Sequence, residues 1–413
     1  MMRYVQQSDS NRKQIVKCFL ALFFLNRIIS TDLFYGVTAI NEVYVLVSEV
    51  LTVWYFLRWL YKYSQKKHMY INEVGCIVWV LVYFILLALI TLFESGNLRR
   101  VMMSAYPIVG TLCFLDVKSD KNAKNLIKGY MYFLFTMVAW NFIDMLFVKK
   151  VLSNSISVFL IGGRNQLAII LAMAFSVFHL NKELEIEENK LSVKNKLFYA
   201  LFYILLLVTA LLSRSATTLI AILMIYVLYA LKFVKQKNIV LNPFIIILGY
   251  IFVWLGLIVY RLQYLFEDLI VNRLHKDLTL SHRTILWDKA LEMIKLKPYF
   301  GYGMSDSVNV FSVNHDYTGG NNAVLSTLSG HNQILQMLYY GGIVLVLVFV
   351  MLYLVCCEKR RRNNNAFYLL FLSVIVILVV WLSEVPSEYE MFTCLGLCYY
   401  SQRFERMKSY NAK

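Results

Sequence analysis

Residues 329 to 354 read SGHNQILQMLYYGGIVLVLVFVMLYL. From Gln333 onward the run carries no charge, and it exceeds the about 20 apolar residues with which an α-helix crosses a ~30 Å hydrocarbon layer. Its apolar positions are continuous and do not alternate, so a barrel strand is the poorer reading. The stretch therefore predicts a membrane-spanning helix. Membrane insertion does not explain His331 and Asn332 at its mouth. Their meaning depends on which side of the membrane they face and on what else faces that side.

The same pattern recurs in both directions along the chain. Of 413 residues, 59% are hydrophobic and 16% charged, with a mean hydropathy of +0.59, more apolar surface than a single soluble core of this size buries. Apolar runs fall at roughly 14–33, 39–61, 75–93, 100–116, 127–148, 156–180, 196–213, 215–233, 242–265, 331–356, 366–384 and 387–403. They predict an all-α polytopic bundle of about twelve transmembrane helices, divided as 1–265 (nine spans), 266–330 (one long outer loop) and 331–413 (three spans and a tail). The run KCFLALFFLNRII lacks a small-residue cleavage site and is followed by further spans, so it is read as a retained first helix.

A formal charge of +16 raises the question of nucleic acid, but the cations lie between the apolar runs and form no basic stripe on a soluble module. Membrane orientation accounts for them. With the N-terminus in the cytoplasm, the basic connections around 62–67, 118–128, 182–196, 232–237 and 359–362 all fall inside, which predicts cytoplasmic termini and an outward-facing 266–330. The seven cysteines sit in or beside apolar runs with no metal-type pair, so neither a disulfide framework nor a zinc site is expected.

Two irregularities remain. In LIGGRNQLAII, Gly162, Gly163, Arg164 and Asn165 interrupt an apolar stretch, suggesting a broken or late-starting helix. In the long loop, SHRTILWDKALEMIKLKP reads as an amphipathic helix lying on the membrane surface, with Leu286, Trp287, Ala290, Leu291 and Ile294 on one stripe and Asp288, Lys289, Glu292 and Lys295 opposite. Ser281 is its expected cap and Pro298 its stop.

Three residues converge on the outer face under this topology: His331, Arg214 at the tight turn in LLSRSATTLIA, and Arg283 in the first turn of the amphipathic helix. A cation in a first turn opposes the helix dipole, and a bound anion would remove the conflict. Each has a bland alternative. His331 alone reads as an interfacial polar residue, Arg214 as a snorkelling anchor, Arg283 as a surface residue and Asn165 as a helix cap. Glu384 and Glu388 in SEVPSEYE read equally well as a polar hairpin.

Taken together, SRSATTLIAIL, SHRTILWDKALEMIKLKPYFGYGMSD and GHNQILQMLYYGGIVLVLVF resemble the bacterial O-antigen ligase and O-antigen polymerase superfamily over about residues 210–350. The resemblance implies a membrane glycosyltransferase of the bacterial cytoplasmic membrane, acting at its outer face on undecaprenyl-diphosphate-linked oligosaccharide. It implies Arg214 and Arg283 as diphosphate binders and His331 as catalytic base, with Arg164, Asn165 and Asn332 as further candidates, although Arg164 replaces the proline usual before the asparagine. A flippase and a chain-length regulator of the same pathway are the partners it implies beside membrane lipid, and it implies no cofactor or metal.

Outside the cytoplasm the sugar must arrive already activated on a lipid diphosphate. Two guanidiniums can stabilise the departing diphosphate while an imidazole, held neutral by the arginine charges, removes the proton from the acceptor hydroxyl. Direct displacement would invert the anomeric centre. The leading expectation is a polymerase of surface polysaccharide (O-antigen, capsule or exopolysaccharide). A ligase delivering the glycan to lipid A core is the alternative. A secondary transporter is the rival from another class, but it would place its ionisable residues near mid-membrane.

Overall fold

The computed structural model of the chain describes residues 2–26, 38–66, 71–147, 151–153, 156–159, 162–163, 165–187, 192–234, 242–273, 278, 283–305, 313–317, 321–325, 331–357 and 365–410. They form a helical bundle: α1 (Met2–Leu25), α2 (Thr38–Ser64), α3 (Ile71–Phe93), α4 (Leu98–Phe147), α5 (Leu167–Glu187), α6 (Val193–Leu212), α7 (Ala216–Val234), α8 (Pro243–Trp254), α9 (Arg283–Leu296), α10 (Gln333–Cys357), α11 (Asn365–Trp381) and α12 (Tyr389–Tyr410). Short antiparallel strands lie at Val151–Ser153, Ile156–Phe159 and Gly162–Gly163, and a hairpin pairs Val313–Tyr317 with Asn321–Leu325.

Among the described residues, seven segments are long and apolar enough to cross a membrane: Asn41–Ser64, Val74–Phe93, Leu98–Asp120, Asn122–Phe147, Leu167–Ile186, Val193–Leu212 and Gln333–Cys357. Ala216–Leu231, Pro243–Val259 and Asn365–Trp381 are apolar but shorter. The expected first span is helical as far as Leu25 and the last is helical from Tyr389, but α1 carries Arg12, Lys13 and Lys17, and α12 carries Glu390, Arg403 and Glu405. The expected fourth and fifth spans are the two halves of α4, separated by a non-helical Asn122 (φ −145°, ψ 44°). The expected sixth begins late, at Leu167, after the glycine pair has formed a strand. The eleventh stops at Trp381, which leaves Glu384 in the turn that follows.

Sequence periodicity decides which helices sit inside. Helix α11 is apolar all round and almost wholly buried, as is α5, and Ser373 Oγ donates to Ser176 Oγ at 2.7 Å between them. Helix α2 instead exposes Val43, Leu46, Val50, Val53 and Leu57, an apolar stripe at helical spacing that suits lipid.

Helix α9 has the predicted apolar stripe, but the stripe is buried on protein. Leu286, Trp287, Ala290 and Ile294 pack with Trp254 at the end of α8, with Ile258 in the helical turn that follows it, and with Leu335 and Tyr339 of α10. The glycine pair of α10 makes a second junction. Gly342 adopts φ 61°, ψ −165°, a region open essentially only to glycine, and a Cβ there would stand 2.1 Å from the Tyr299 carbonyl oxygen. The backbone that approaches this pair belongs to residues 298–303. Tyr302 N donates to Tyr339 O at 2.8 Å, Gly303 N to Tyr340 O at 2.9 Å, and Ile343 N to Pro298 O at 2.9 Å. The FGYG turn thus uses carbonyls and amides that the break in α10 releases, and it fixes α9 against α10.

Candidate active site

The α6–α7 turn is made by two serines. Ser213 Oγ donates to the Ala210 carbonyl at 2.7 Å and accepts from Ser215 N, while Ser215 Oγ accepts from Thr218 N at 3.2 Å as the cap of α7. Arg214 between them is exposed and left-handed, with φ 49°. His331 is likewise left-handed, with φ 47°, directly before the cap of α10. Positive φ in a non-glycine residue costs energy that the surrounding structure must supply, and such residues concentrate at functional sites.

Asn332 is that cap. Its Oδ1 accepts from Leu335 N at 3.0 Å and from Trp254 Nε1 at 2.9 Å, and its Nδ2 donates to the Leu382 carbonyl at 3.0 Å. It is 0% exposed. Asn332 therefore joins α8, α10 and the turn after α11, and acts on the site by holding His331 in place; it presents no surface to a substrate.

Glu384 is the hub that sequence reading placed in a polar hairpin. Its residue exposure is 8%, yet three side chains converge on it. Arg283 Nη2 donates to Oε1, Asn165 Nδ2 donates to the same oxygen at 2.7 Å, and His331 Nδ1 stands 3.8 Å from Oε2. Asn165 in turn accepts from Ser215 Oγ at 2.6 Å, which ties the Arg214 turn to the cluster. The start of α5, the α6–α7 turn, the first residue of α9, the mouth of α10 and the turn before α12 thus meet at one carboxylate. Burial pushes the Glu384 carboxyl up, but the His331 ring, the Arg283 charge and the Asn165 amide outweigh it and hold it below the usual carboxylate range.

This geometry brings Arg283, His331 and Asn165 together and sets Arg214 one residue from the linking serine. Arg164 lies outside the described residues, as do Ser281 and His282. The electrostatics differ from the sequence expectation in one respect. The charge placed at the imidazole is a carboxylate, with Arg283 gripping its other oxygen, and not arginine charge alone. A carboxylate beside Nδ1 favours the tautomer with its proton there and leaves Nε2 to accept one. It also places negative charge at the start of α9, which answers the dipole conflict of Arg283.

Arg261 was missed. It is left-handed (φ 55°), donates to the Thr284 carbonyl at 3.1 Å, pairs with Asp288 and lies over the Trp287 ring at 5.4 Å. It orients the first turn of α9 and hence Arg283. Its sequence signal was an arginine inside the apolar run at 242–265. Glu388 accepts from Tyr83 at 2.8 Å and from Gln333 at 3.0 Å, two residues from His331.

Residues 201–350 match the family model described as O-antigen ligase. No curated protein and no solved structure matches the chain. The matched segment carries Arg214, Arg283 and His331, and over it this multi-pass membrane chain is similar to the O-antigen ligase family, whose members are membrane enzymes that transfer lipid-linked glycans.

Proposed function

We propose that the protein polymerises undecaprenyl-diphosphate-linked oligosaccharide repeat units into surface polysaccharide at the outer face of the cytoplasmic membrane. The observation that carries this reading is the convergence of Arg283 and His331 on Glu384 beside the Arg214 turn. His331 Nε2 takes the proton of an acceptor sugar hydroxyl, its oxygen bonds to the anomeric carbon of the donor, and the bond from that carbon to the diphosphate breaks. The electron pair leaves with the lipid diphosphate, where Arg214 and Arg283 stabilise the charge. The bond to Glu384 uses one nitrogen of Arg283 and leaves other donors of the guanidinium for phosphate. One displacement inverts the anomeric centre, and the arginines make the step independent of a metal ion.

A polymerase must admit two lipid-linked substrates to one cavity. Exposed apolar residues stand at both ends of α9, Tyr260, Leu262, Leu265 and Phe266 before it and Leu296, Tyr299 and Phe300 after it, which supports two lipid approaches. Purified protein given only short lipid-linked repeat units is expected to yield a ladder of longer lipid-linked glycans, in the presence of chelator as in its absence. Absence of a ladder together with transfer to added lipid A core would establish a ligase instead.

A further inference from the structure

Helix α1 and the second half of α4 run side by side in the same direction. Asn125 Nδ2 donates to Asn11 Oδ1 at 3.2 Å, and farther along Phe19 meets Phe133 edge-on at 6.4 Å between centroids. Between these contacts the backbones nearly touch at Gly129, where a Cβ would stand 2.7 Å from Cys18 Cβ and 3.0 Å from the Ile15 carbonyl oxygen. So close a crossing leaves the flanking side chains as the walls of a groove. Arg12, Ile15, Val16 and Phe19 recur on one face of α1, and Lys128 and Tyr132 follow one another at i and i+4 on α4. Together they line a space of about 520 Å³.

The groove is cationic at one end only. Because the helices are parallel, Arg12 and Lys128 lie together at its start, and Phe19 and Tyr132 lie deeper along the bundle. Lys128 Nζ is 3.2 Å from Glu185 Oε1, a bond that uses one of its three donors. Exposed Lys13 and Lys17 add to the positive field outside the lining. A cationic mouth leading into an apolar channel is complementary to an anionic amphiphile, and the volume suits a headgroup with the upper part of one chain.

We infer that this groove is a binding site for an anionic phospholipid, with its phosphate between Arg12 and Lys128 and an acyl chain along Ile15, Val16, Phe19 and Tyr132. The site lies apart from the His331 cluster and does not depend on the proposed reaction. The test is native mass spectrometry of the purified full chain titrated with phosphatidylglycerol or phosphatidylcholine. Wild type is expected to retain one phosphatidylglycerol in preference to phosphatidylcholine. R12Q/K128Q should lose that retention by about tenfold, at roughly fivefold per cation less a discount for the Glu185 pair. R12Q alone, at an exposed position, should lose about fivefold. K13Q/K17Q removes the same charge outside the lining and should change retention less than twofold. Equal losses in the two double variants would overturn the proposal in favour of a diffuse field. Displacement by soluble glycerol phosphate would overturn it in favour of a free-phosphate site, and equal retention of the two lipids would overturn it outright.

Discussion

At the scale of single residues, the site depends on what Glu384 does to its neighbours. A base that takes a proton in the transition state contributes about 10²-fold to 10⁴-fold, so His331→Ala is expected to lower kcat by that factor with protein abundance unchanged. Glu384→Gln keeps the shape but loses the charge that orients the imidazole and holds Arg283. A loss of about 10²-fold is expected, with much of it recovered by Glu384→Asp. The same carboxyl gives a stability signature. Its folded pKa is lowered, so its contribution is complete above the ordinary carboxylate value of about 4 and disappears as pH falls through the lowered value. Thermal melting in detergent should therefore show wild type losing stability on acidification through that window while E384Q does not. An identical acid dependence in the two proteins would show that Glu384 is not the titrating group.

At the scale of elements, the glycine pair of α10 reads in sequence as a place of close approach, and the structure names the visitor as the 298–303 turn. Gly342→Ala combines a left-handed φ with a clash against the Tyr299 backbone, so a destabilisation of about 2 kcal/mol or more is expected. Gly249 in α8 has nothing within 4 Å of its Cβ position, and Gly249→Ala should be neutral or stabilising by up to about 1 kcal/mol. Parallel melting curves of the two variants check the contrast; equal shifts would mean that the junction is not rigid. Sequence pattern reveals the apolar runs, the stripe of α9 and a broken or late start for α5, and it marks Arg214, Arg283 and His331 as polar residues at the ends of such runs, because each rests on local pattern. It does not reveal Glu384 as the hub, since the partners of a lone acid in a turn come from three distant elements. Nor does it reveal that the α9 stripe faces protein, because lipid and protein demand the same apolar residues. Asn332 was legible as polar but not as a cap, because its partners Trp254 and Leu382 lie far away in the chain.

At the scale of the whole molecule, two polar networks occupy opposite ends of the first half of α4. At one end Asn97 N donates to Met304 O at 2.7 Å, and Gly303 lies so close to Thr91 that a Cβ would stand 2.7 Å from its Cα. At the other, the fully buried Asp116 accepts from Arg403 at 2.6 Å and from Lys62 at 3.1 Å, and Arg403 also reaches Asp120 at 3.0 Å. Leu98–Asp120 lies between, 23 residues that span about 35 Å as helix, close to the ~30 Å core of a bilayer. Lys62, Lys118, Lys124, Lys128 and Arg403 all lie toward the Asp116 end, which the positive-inside rule assigns to the cytoplasm. The proposed orientation puts His331 on the outer side, where no nucleotide sugar is at hand and a lipid-linked donor is required. This orientation is open to a direct test, because a cysteine placed at Asn314 should be reached from outside and one at Asn364 should not. In a background with the seven native cysteines replaced, an impermeant thiol reagent applied to intact cells is expected to label Asn314→Cys, and to label Asn364→Cys only after the membrane is opened. The reverse pattern would put His331, Arg214 and Arg283 on the cytoplasmic side, where a lipid-diphosphate donor presented at the outer face could not reach them.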